Sequence, residues 1–305
     1  MSAHVVRFPA EPRQFCGGQA TVVQVPLGQD NLGWMVICEA TREAALVDGP
    51  DAGAYLSRCE ALGVRPTTVW NTHTHGDHVG LNHDLQRRGL LAAMRVFGPA
   101  AARDDVPGIT DAVDEGDVVS VGRLTARVMR TDGHLNGHIS FVIGDAATPG
   151  AAVFCGDTLF AAGCGYLFDG PPAAMAQSLR RLAALHPDTA VCCAHEYTWD
   201  NLRFAFHVDG DNPALWARIL AARATLDAGG SCVPSTIGME RATNPFLRAG
   251  DPILKRFAAM QCELSLPDEP DAAFAILRML KNGPRWRGVS DDEILAEVGR
   301  KSAEI

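Results

Sequence analysis

At 305 residues the chain is about twice the length of a typical domain, enough to bury a sizeable core without disulfide or metal staples. Hydrophobic residues at 47% and charged residues at 21% exclude wholesale disorder, a coiled coil and a collagen-like chain. With 27 basic and 36 acidic side chains the formal net charge is −9, without the basic footprint of a nucleic-acid binder or the polybasic cluster of a membrane-surface protein. In chain order, β-branched runs cut by Gly, Pro and Asp predict strands at Thr21–Val25, Gly33–Cys38, Ala44–Val47, Thr68–Trp70, Arg95–Phe97, Val118–Val121, Leu124–Met129, Ile139–Ile143, Ala151–Cys155 and Ala190–Cys193. Among them, Asp51–Leu62 and Pro172–Leu185 carry apolar residues at helical spacing. The β-rich runs stop near residue 198. Beyond it Asn201–His207, Pro213–Asp227, Pro252–Met260, Asp271–Lys281 and Asp291–Lys301 read as helices, with NPAL and PDEPDAAF as proline-marked openings. A mixed α/β domain over 1–200 followed by a helical domain over 201–305 is expected, with the boundary within 196–212.

No run approaches the roughly 18 apolar residues of a membrane-spanning helix. The start, MSAHVVRFPAEPRQF, lacks the cationic-then-apolar order of a secretory signal. Nine cysteines, an odd number without regular spacing, do not read as a disulfide framework, and several sit inside apolar runs. A reducing, cytoplasmic setting is expected.

The densest polar feature is Asn71-Thr72-His73-Thr74-His75-Gly76-Asp77-His78. Three of the ten histidines fall within six residues, directly after a buried strand. A turn there can aim alternate side chains at one point, and imidazole with carboxylate suits zinc, iron or manganese. Three more candidate ligands follow apolar strands: His134, Asp157 and His195. Strand ends are where open α/β architectures place their sites. The set of five histidines with Asp77 and Asp157 exceeds what one tetrahedral ion needs and suits two ions sharing a carboxylate. The residues alone do not say which ligand serves which ion.

T-H-T-H-G-D-H, G-H-L-N-G-H, G-D-T-L-F and A-H-E-Y-T together resemble the metallo-β-lactamase superfamily. With Gly163-Cys164-Gly165 and Asn244-Pro245-Phe246-Leu247-Arg248, the chain resembles the glyoxalase II (hydroxyacylglutathione hydrolase) branch from about Gln19 to about Arg256. The first motif is superfamily-wide; A-H-E-Y-T followed by N-P-F-L-R is narrower. The resemblance implies an αβ/βα sandwich with a C-terminal α-helical, substrate-binding domain. It implies two divalent metal ions, zinc by default and iron or manganese as alternatives. His73, His75 and His134 would bind one ion, Asp77, His78 and His195 the other, with Asp157 bridging. Asp48 and His138 would support ligands from behind. Asp77 and Asp157 would thereby be the catalytic carboxylates.

The implied reaction is attack of a metal-bound hydroxide on a thioester such as S-D-lactoylglutathione, releasing a hydroxy acid and a thiol. A thiolate of pKa near ~8.5 leaves without much acid assistance, so no nucleophilic Ser or Cys is required. The implied partner is this small thioester; no nucleic acid, membrane or obligate protein partner is expected. A mononuclear iron persulfide dioxygenase shares the first motif and Gly-Cys-Gly but not A-H-E-Y-T or N-P-F-L-R. A non-enzymatic metal-binding protein would need only four closed ligands. Tyr197, Arg248 and Tyr166 are the candidate substrate contacts. Tyr166 stands after Gly-Cys-Gly where the family pattern has a basic residue, Phe168 lacks a hydroxyl, and Asp251 follows Arg248 by three. Weakened glutathione selectivity, or another thiol carrier, is the resulting alternative, unless Lys255 or Arg256 turns inward; if Arg248 and Tyr197 suffice, glutathione remains the substrate.

Overall fold

Along Asn31–Cys38 the side chains alternate between two apolar environments: Trp34, Val36 and Cys38 enter one cluster, Met35 and Ile37 another. Successive side chains of a strand point to opposite faces, so this run is covered on both sides, as its near-continuous apolar sequence requires. The computed structural model describes residues 4–262 and 271–304. Its first sheet has seven strands in sequential order: β1 (Arg13–Phe15), β2 (Ala20–Leu27), β3 (Asn31–Cys38), β4 (Glu43–Val47), β5 (Arg65–Trp70), β6 (Arg95–Pro99) and β7 (Asp111–Val113). Neighbours are antiparallel from β1 to β4 and parallel from β4 to β7. The parallel connections carry α1 (Gly53–Leu62) and α2 (Gly76–Arg87), which bury Tyr55, Cys59, Leu81 and Leu85 against Met35, Leu46 and Val69.

The second sheet begins with the antiparallel run β8 (Val118–Val121), β9 (Leu124–Arg130), β10 (Ile139–Ile143) and β11 (Ala152–Gly156). A small hairpin, β12 (Leu159–Phe160) with β13 (Gly163–Cys164), and the helix α3 (Pro172–Ala183) follow. β14 (Ala190–Cys193) then joins β11 in parallel. The two sheets meet through aromatic rings: Trp70 stacks on Phe141 at 5.2 Å, and Phe154 meets both Trp34 and Trp70 edge-on. Met175, Leu179 and Leu182 of α3 join the same core cluster. The fold is the expected αβ/βα sandwich.

The remainder is helical: α4 (Thr198–Asp209), α5 (Pro213–Asp227), α6 (Ile237–Thr243), α7 (Pro252–Cys262), α8 (Ala272–Asn282) and α9 (Asp291–Ala303). One two-residue strand, β15 (Ser235–Thr236), extends the second sheet beside β14. α4, α5 and α9 share a core of their own, including Leu202, Leu215, Ile219 and Val298. Phe274 and Leu277 of α8 pack instead into the main core with Phe204, Phe246 and Trp286.

All ten predicted strands are present, three of them (β8, β10 and β14) with the predicted ends and the others with shifted ends. The unpredicted ones, β1, β7, β12, β13 and β15, have two or three residues each, too short to show a period. The expected turn after Trp70 holds only to His75; α2 starts at Gly76 and places Asp77 and His78 in its first turn. Two glycines and the polar, histidine-rich start hide that helix, although Leu81 and Leu85 are spaced for one buried face. The short α6 is likewise not predicted. The opening PDEPDAAF falls partly outside the described residues. No helix among the described residues is long and apolar enough to cross a membrane.

Gly80 lets α2 lie directly on the Pro50 backbone: a Cβ there would stand 2.3 Å from the Pro50 carbonyl oxygen. Gly80→Ala is expected to destabilise the fold by about 1–3 kcal/mol through overpacking. The midpoint of urea unfolding measures this, and an unchanged midpoint would contradict the packing.

Candidate metal centre

All the candidate ligands except Asp77 and His78 sit just past the end of a buried strand. Asp48 follows β4, His73 and His75 follow β5, His134 follows β9, Asp157 follows β11 and His195 follows β14. Asp77 and His78 arrive on α2, which the β5 loop feeds. An isolated bridge between Asn31 and His195 draws the end of β14 onto the β2–β3 turn. The two sheets therefore deliver their ligands to one edge of the sandwich.

The geometry separates these residues into two sets around one carboxylate. Nδ1 of His75 lies 3.1 Å from Nε2 of His73 and 2.9 Å from Nε2 of His134. Oδ2 of Asp157 is 3.5 Å from Nε2 of His134. Its other oxygen, Oδ1, is 3.5 Å from Nε2 of His78 and 3.4 Å from Nε2 of His195. Oδ2 of Asp77 is 3.7 Å and 3.4 Å from those same two nitrogens. His73, His75, His134 and Asp157 form one group whose ligand atoms all lie within 4.8 Å of one another, Asp77, His78 and His195 form another, and Asp48, His73 and His78 form a third behind them.

The donor set fits divalent ions. Nε2 of His78 and Oδ1 of Asp157 are buried with no hydrogen-bond partner, a costly state for polar atoms unless something binds them. Three imidazole nitrogens crowded together oppose lone pairs or N–H groups, and a shared cation removes that conflict. Imidazole and carboxylate without thiolate suit zinc, iron or manganese. Among the described residues, no such group includes a cysteine. Burial, the largest influence, holds His73 and His134 below the usual histidine range and so in the neutral, ligating form. Burial also acts against a charged His195, but the carboxylates of Asp157, Asp30 and Asp77 outweigh it and raise its pKa.

Other side chains orient these rings. Oδ2 of Asp48 lies 3.0 Å from Nδ1 of His78, and Asp48 also accepts from the backbone N–H and hydroxyl of Thr72. His138 meets the His134 ring edge-on at 6.3 Å, stacks on His73 at 4.7 Å and accepts from the backbone N–H of Asp157 at 3.3 Å. The carbonyl of Tyr166 accepts from Nδ1 of His134 at 2.7 Å, which directs Nε2 inward. Asp30 faces Nδ1 of His195 at 3.3 Å, and the Asn31 amide donates to Asp77 at 2.9 Å. Asp30 and Asn31 are absent from the sequence reading, since only the bridge to His195 brings that turn here.

A cavity of about 360 Å³ opens on this centre. Asp157, His75, His134, His195 and Asp77 line one end, and Phe160, Phe168, Tyr166 and Tyr197 form aromatic walls. Tyr197 stacks flat on His195 at 4.7 Å. Arg278, Lys281, Asn282 and Arg287 line the rest, with Asn201 and Cys164. Arg248 is not among the lining residues. Its guanidinium pairs with Asp251 at 3.0 Å and Asp209 at 3.4 Å, and donates to the Ala242 carbonyl. Lys255 and Arg256 are exposed and do not line the cavity either. The positive charge comes instead from α8 and the turn after it, which the sequence reading left without a role. Arg278 and Lys281 stand three apart on the buried face of an amphipathic helix, a pattern that could have marked them, since buried cations in an apolar stripe need a purpose.

Residues 39–195 match the model of the metallo-beta-lactamase superfamily, and residues 196–283 match that of the hydroxyacylglutathione hydrolase C-terminus. A hydroxyacylglutathione hydrolase from Synechococcus sp. is 42% identical over 85% of this chain and 97% of its own. One from Maricaulis maris is 40% identical over 85% of this chain and 96% of its own. Among solved structures, ETHE1 from Myxococcus xanthus superposes with a TM-score of 0.55 at 21% identity, covering 97% of this chain and all of its own. BLEG-1 B3 metallo-beta-lactamase does so with the same TM-score and identity over 74% of this chain and 99% of its own; both show the shared fold. The chain belongs to the metallo-beta-lactamase superfamily and, within it, to the hydroxyacylglutathione hydrolase family.

Two outcomes are expected. Asp157→Ala should lower bound metal from two ions per chain to at most one, by elemental analysis, while circular dichroism stays native. Arg248→Ala should leave carrier binding unchanged but lower the unfolding midpoint, because the buried Asp209 loses its cation, at a cost of about 1–3 kcal/mol.

Proposed function

We propose that this chain hydrolyses thioesters of the S-2-hydroxyacylglutathione type, with S-D-lactoylglutathione as the test substrate, to a hydroxy acid and free thiol. The observation that carries this reading is one cavity lined both by the histidine–aspartate centre and by Arg278, Lys281 and Arg287. The first suits a reacting carbonyl, the second a thiol carrier ending in carboxylate. The relatives at about 40% identity, named hydroxyacylglutathione hydrolases, support the same assignment. Arg278, Lys281 and Arg287 bring to the cavity the positive charge that Arg248 does not, which supports glutathione as the carrier. We assign catalysis to residues 1–200 and carrier binding largely to 201–305. The unpaired, buried Cys155, Cys192 and Cys193 support a reducing, cytoplasmic setting.

His73, His75, His134 and Asp157 would hold one ion, and Asp77, His78, His195 and Asp157 the other, with zinc the default and iron or manganese the alternatives. Such ions supply an activated water at neutral pH and a Lewis acid for the carbonyl oxygen. The protein's own part is positioning. Asp157, gripped from both sides, fixes the spacing of the two ligand sets. Asp77, anchored by Asn31, stands at the cavity edge with a partly exposed carboxylate. Phe160 and Tyr197 would give the scissile bond an apolar wall, with the more exposed Tyr166 and Phe168 at its rim. Cys164 lines the cavity, and burial raises its thiol pKa in spite of the nearby Arg278, which disfavours the nucleophilic thiolate. The departing thiolate, of pKa near ~8.5, leaves unassisted.

Steady-state hydrolysis of S-D-lactoylglutathione by metal-loaded protein is the test. Thiol release with a lower KM than for the same thioester lacking the glycine carboxylate supports the reading. Oxygen uptake on a persulfide in place of thioester cleavage overturns it. Lys281 adds a pH signature. Burial, its largest influence, pulls its pKa down to about 7, although Asp200 favours the charged form; Arg278 and Arg287 lower it further. The ammonium is present below that pH and lost above it. Affinity for S-methylglutathione, a thioether that cannot be hydrolysed, should therefore fall as pH rises through neutrality. Calorimetry should show that slope flatten in Lys281→Gln.

A further inference from the structure

The hairpin β12–β13 forms part of the cavity wall, yet side chains of the helical part hold its shape. The Asn201 amide donates to the Ala161 carbonyl at 3.0 Å. The Asn244 amide donates to the carbonyls of Gly163 at 2.9 Å and Phe160 at 3.3 Å. The Glu240 carboxylate accepts from the backbone N–H of Ala162 at 2.8 Å and from Asn244 at 3.0 Å, and is itself held by Arg218 at 2.5 Å and by Ser235. Ala162 has φ +57°, a left-handed conformation that a residue with a Cβ adopts only under such constraint. At the end of the hairpin and just after it, the carbonyls of Cys164 and Gly165 accept from Nη1 of Arg278 at 2.9 and 3.4 Å. The hairpin therefore seats Arg278, and Asn244 seats the hairpin. Asn244 is fully buried and does not line the cavity.

We propose that Asn244 is a positioning residue for carrier recognition: it acts through the Phe160 and Gly163 carbonyls to aim the Arg278 guanidinium at the carboxylate of the thiol carrier. The proposal rests on the carrier-binding reading given above. A hydroxyl in place of the amide keeps an acceptor for the Phe246 N–H, which Asn244 now serves at 3.0 Å, but cannot span both hairpin carbonyls.

A double-mutant cycle tests it, read as the Kd of S-methylglutathione by calorimetry in wild type, Asn244→Ser, Arg278→Ala and the double variant. Losing a charge-assisted contact weakens binding about ten- to a hundredfold, so Arg278→Ala should lie in that range and Asn244→Ser should approach its lower end. The double variant should bind no worse than Arg278→Ala alone, because both substitutions remove one interaction. S-methylglutathione amidated at its glycine carboxylate should bind wild type and Asn244→Ser equally. Multiplying effects, or equal weakening for the amidated probe, would reveal a merely structural residue and overturn the proposal. No change in Arg278→Ala would overturn the carrier reading and this proposal with it. Asn244→Asp, matched in size but lacking the donor, supplies the same cycle should the serine chain not fold.

Discussion

Asp157 is a carboxylate buried among imidazoles, and much of the molecule is arranged so that this is tolerable. An isolated charge in that place would be expensive. Here Oδ1 faces His78 and His195, and Oδ2 faces His134. Those rings come from α2, from the end of β14 and from the loop after β9, so no single element could satisfy both oxygens. Two sheets must meet at a common edge with their strand ends in register. The aromatic packing of Trp70, Phe141 and Phe154 between the sheets keeps that edge in place.

Around this carboxylate, polar groups are buried only where another group answers them. Thr72, Asp48 and His78 form one chain of contacts, and Thr131, His138 and Asp157 form a second through hydroxyl and backbone partners. A fully connected network fixes ring orientation more tightly than packing alone. Left without a hydrogen-bond partner are Oδ1 of Asp157 and both ring nitrogens of His78, of which Nδ1 faces Asp48 and Nε2 lies with Oδ1 where divalent ions fit.

The helical part does more than cover the sandwich. Glu240, with its ion pair to Arg218, is fully buried, as is Asn244, and their free bonds go to the hairpin backbone of the other part. Lys281 lies over the faces of Trp286 and Phe204 while donating to the carbonyl of Asp200. A cation in that setting is held by aromatic faces and one carbonyl. The cationic lining of the cavity is thus part of the main core and cannot be moved without disturbing it.

The sequence by itself determined the ligand types, their attachment to strand ends, the strands of both sheets and the change to helices near residue 198. Each of these is written in local spacing: two-residue alternation, helical periodicity, and polar residues placed just past apolar runs. It did not show that Asp77 and His78 begin a helix, because Gly76 and Gly80 weaken the helical pattern and their purpose, contact with Pro50, is remote. It put the carrier's cation at Arg248, whose charge is spent on Asp209 and Asp251. Only the tertiary structure decided that Arg278, Lys281 and Arg287 face the metal centre, and that Asp30 and Asn31 stand behind His195 and Asp77. Those contacts join segments more than 100 residues apart, or a turn to a helix in another part of the chain. Such pairings depend on which surfaces pack together, and no local period records them.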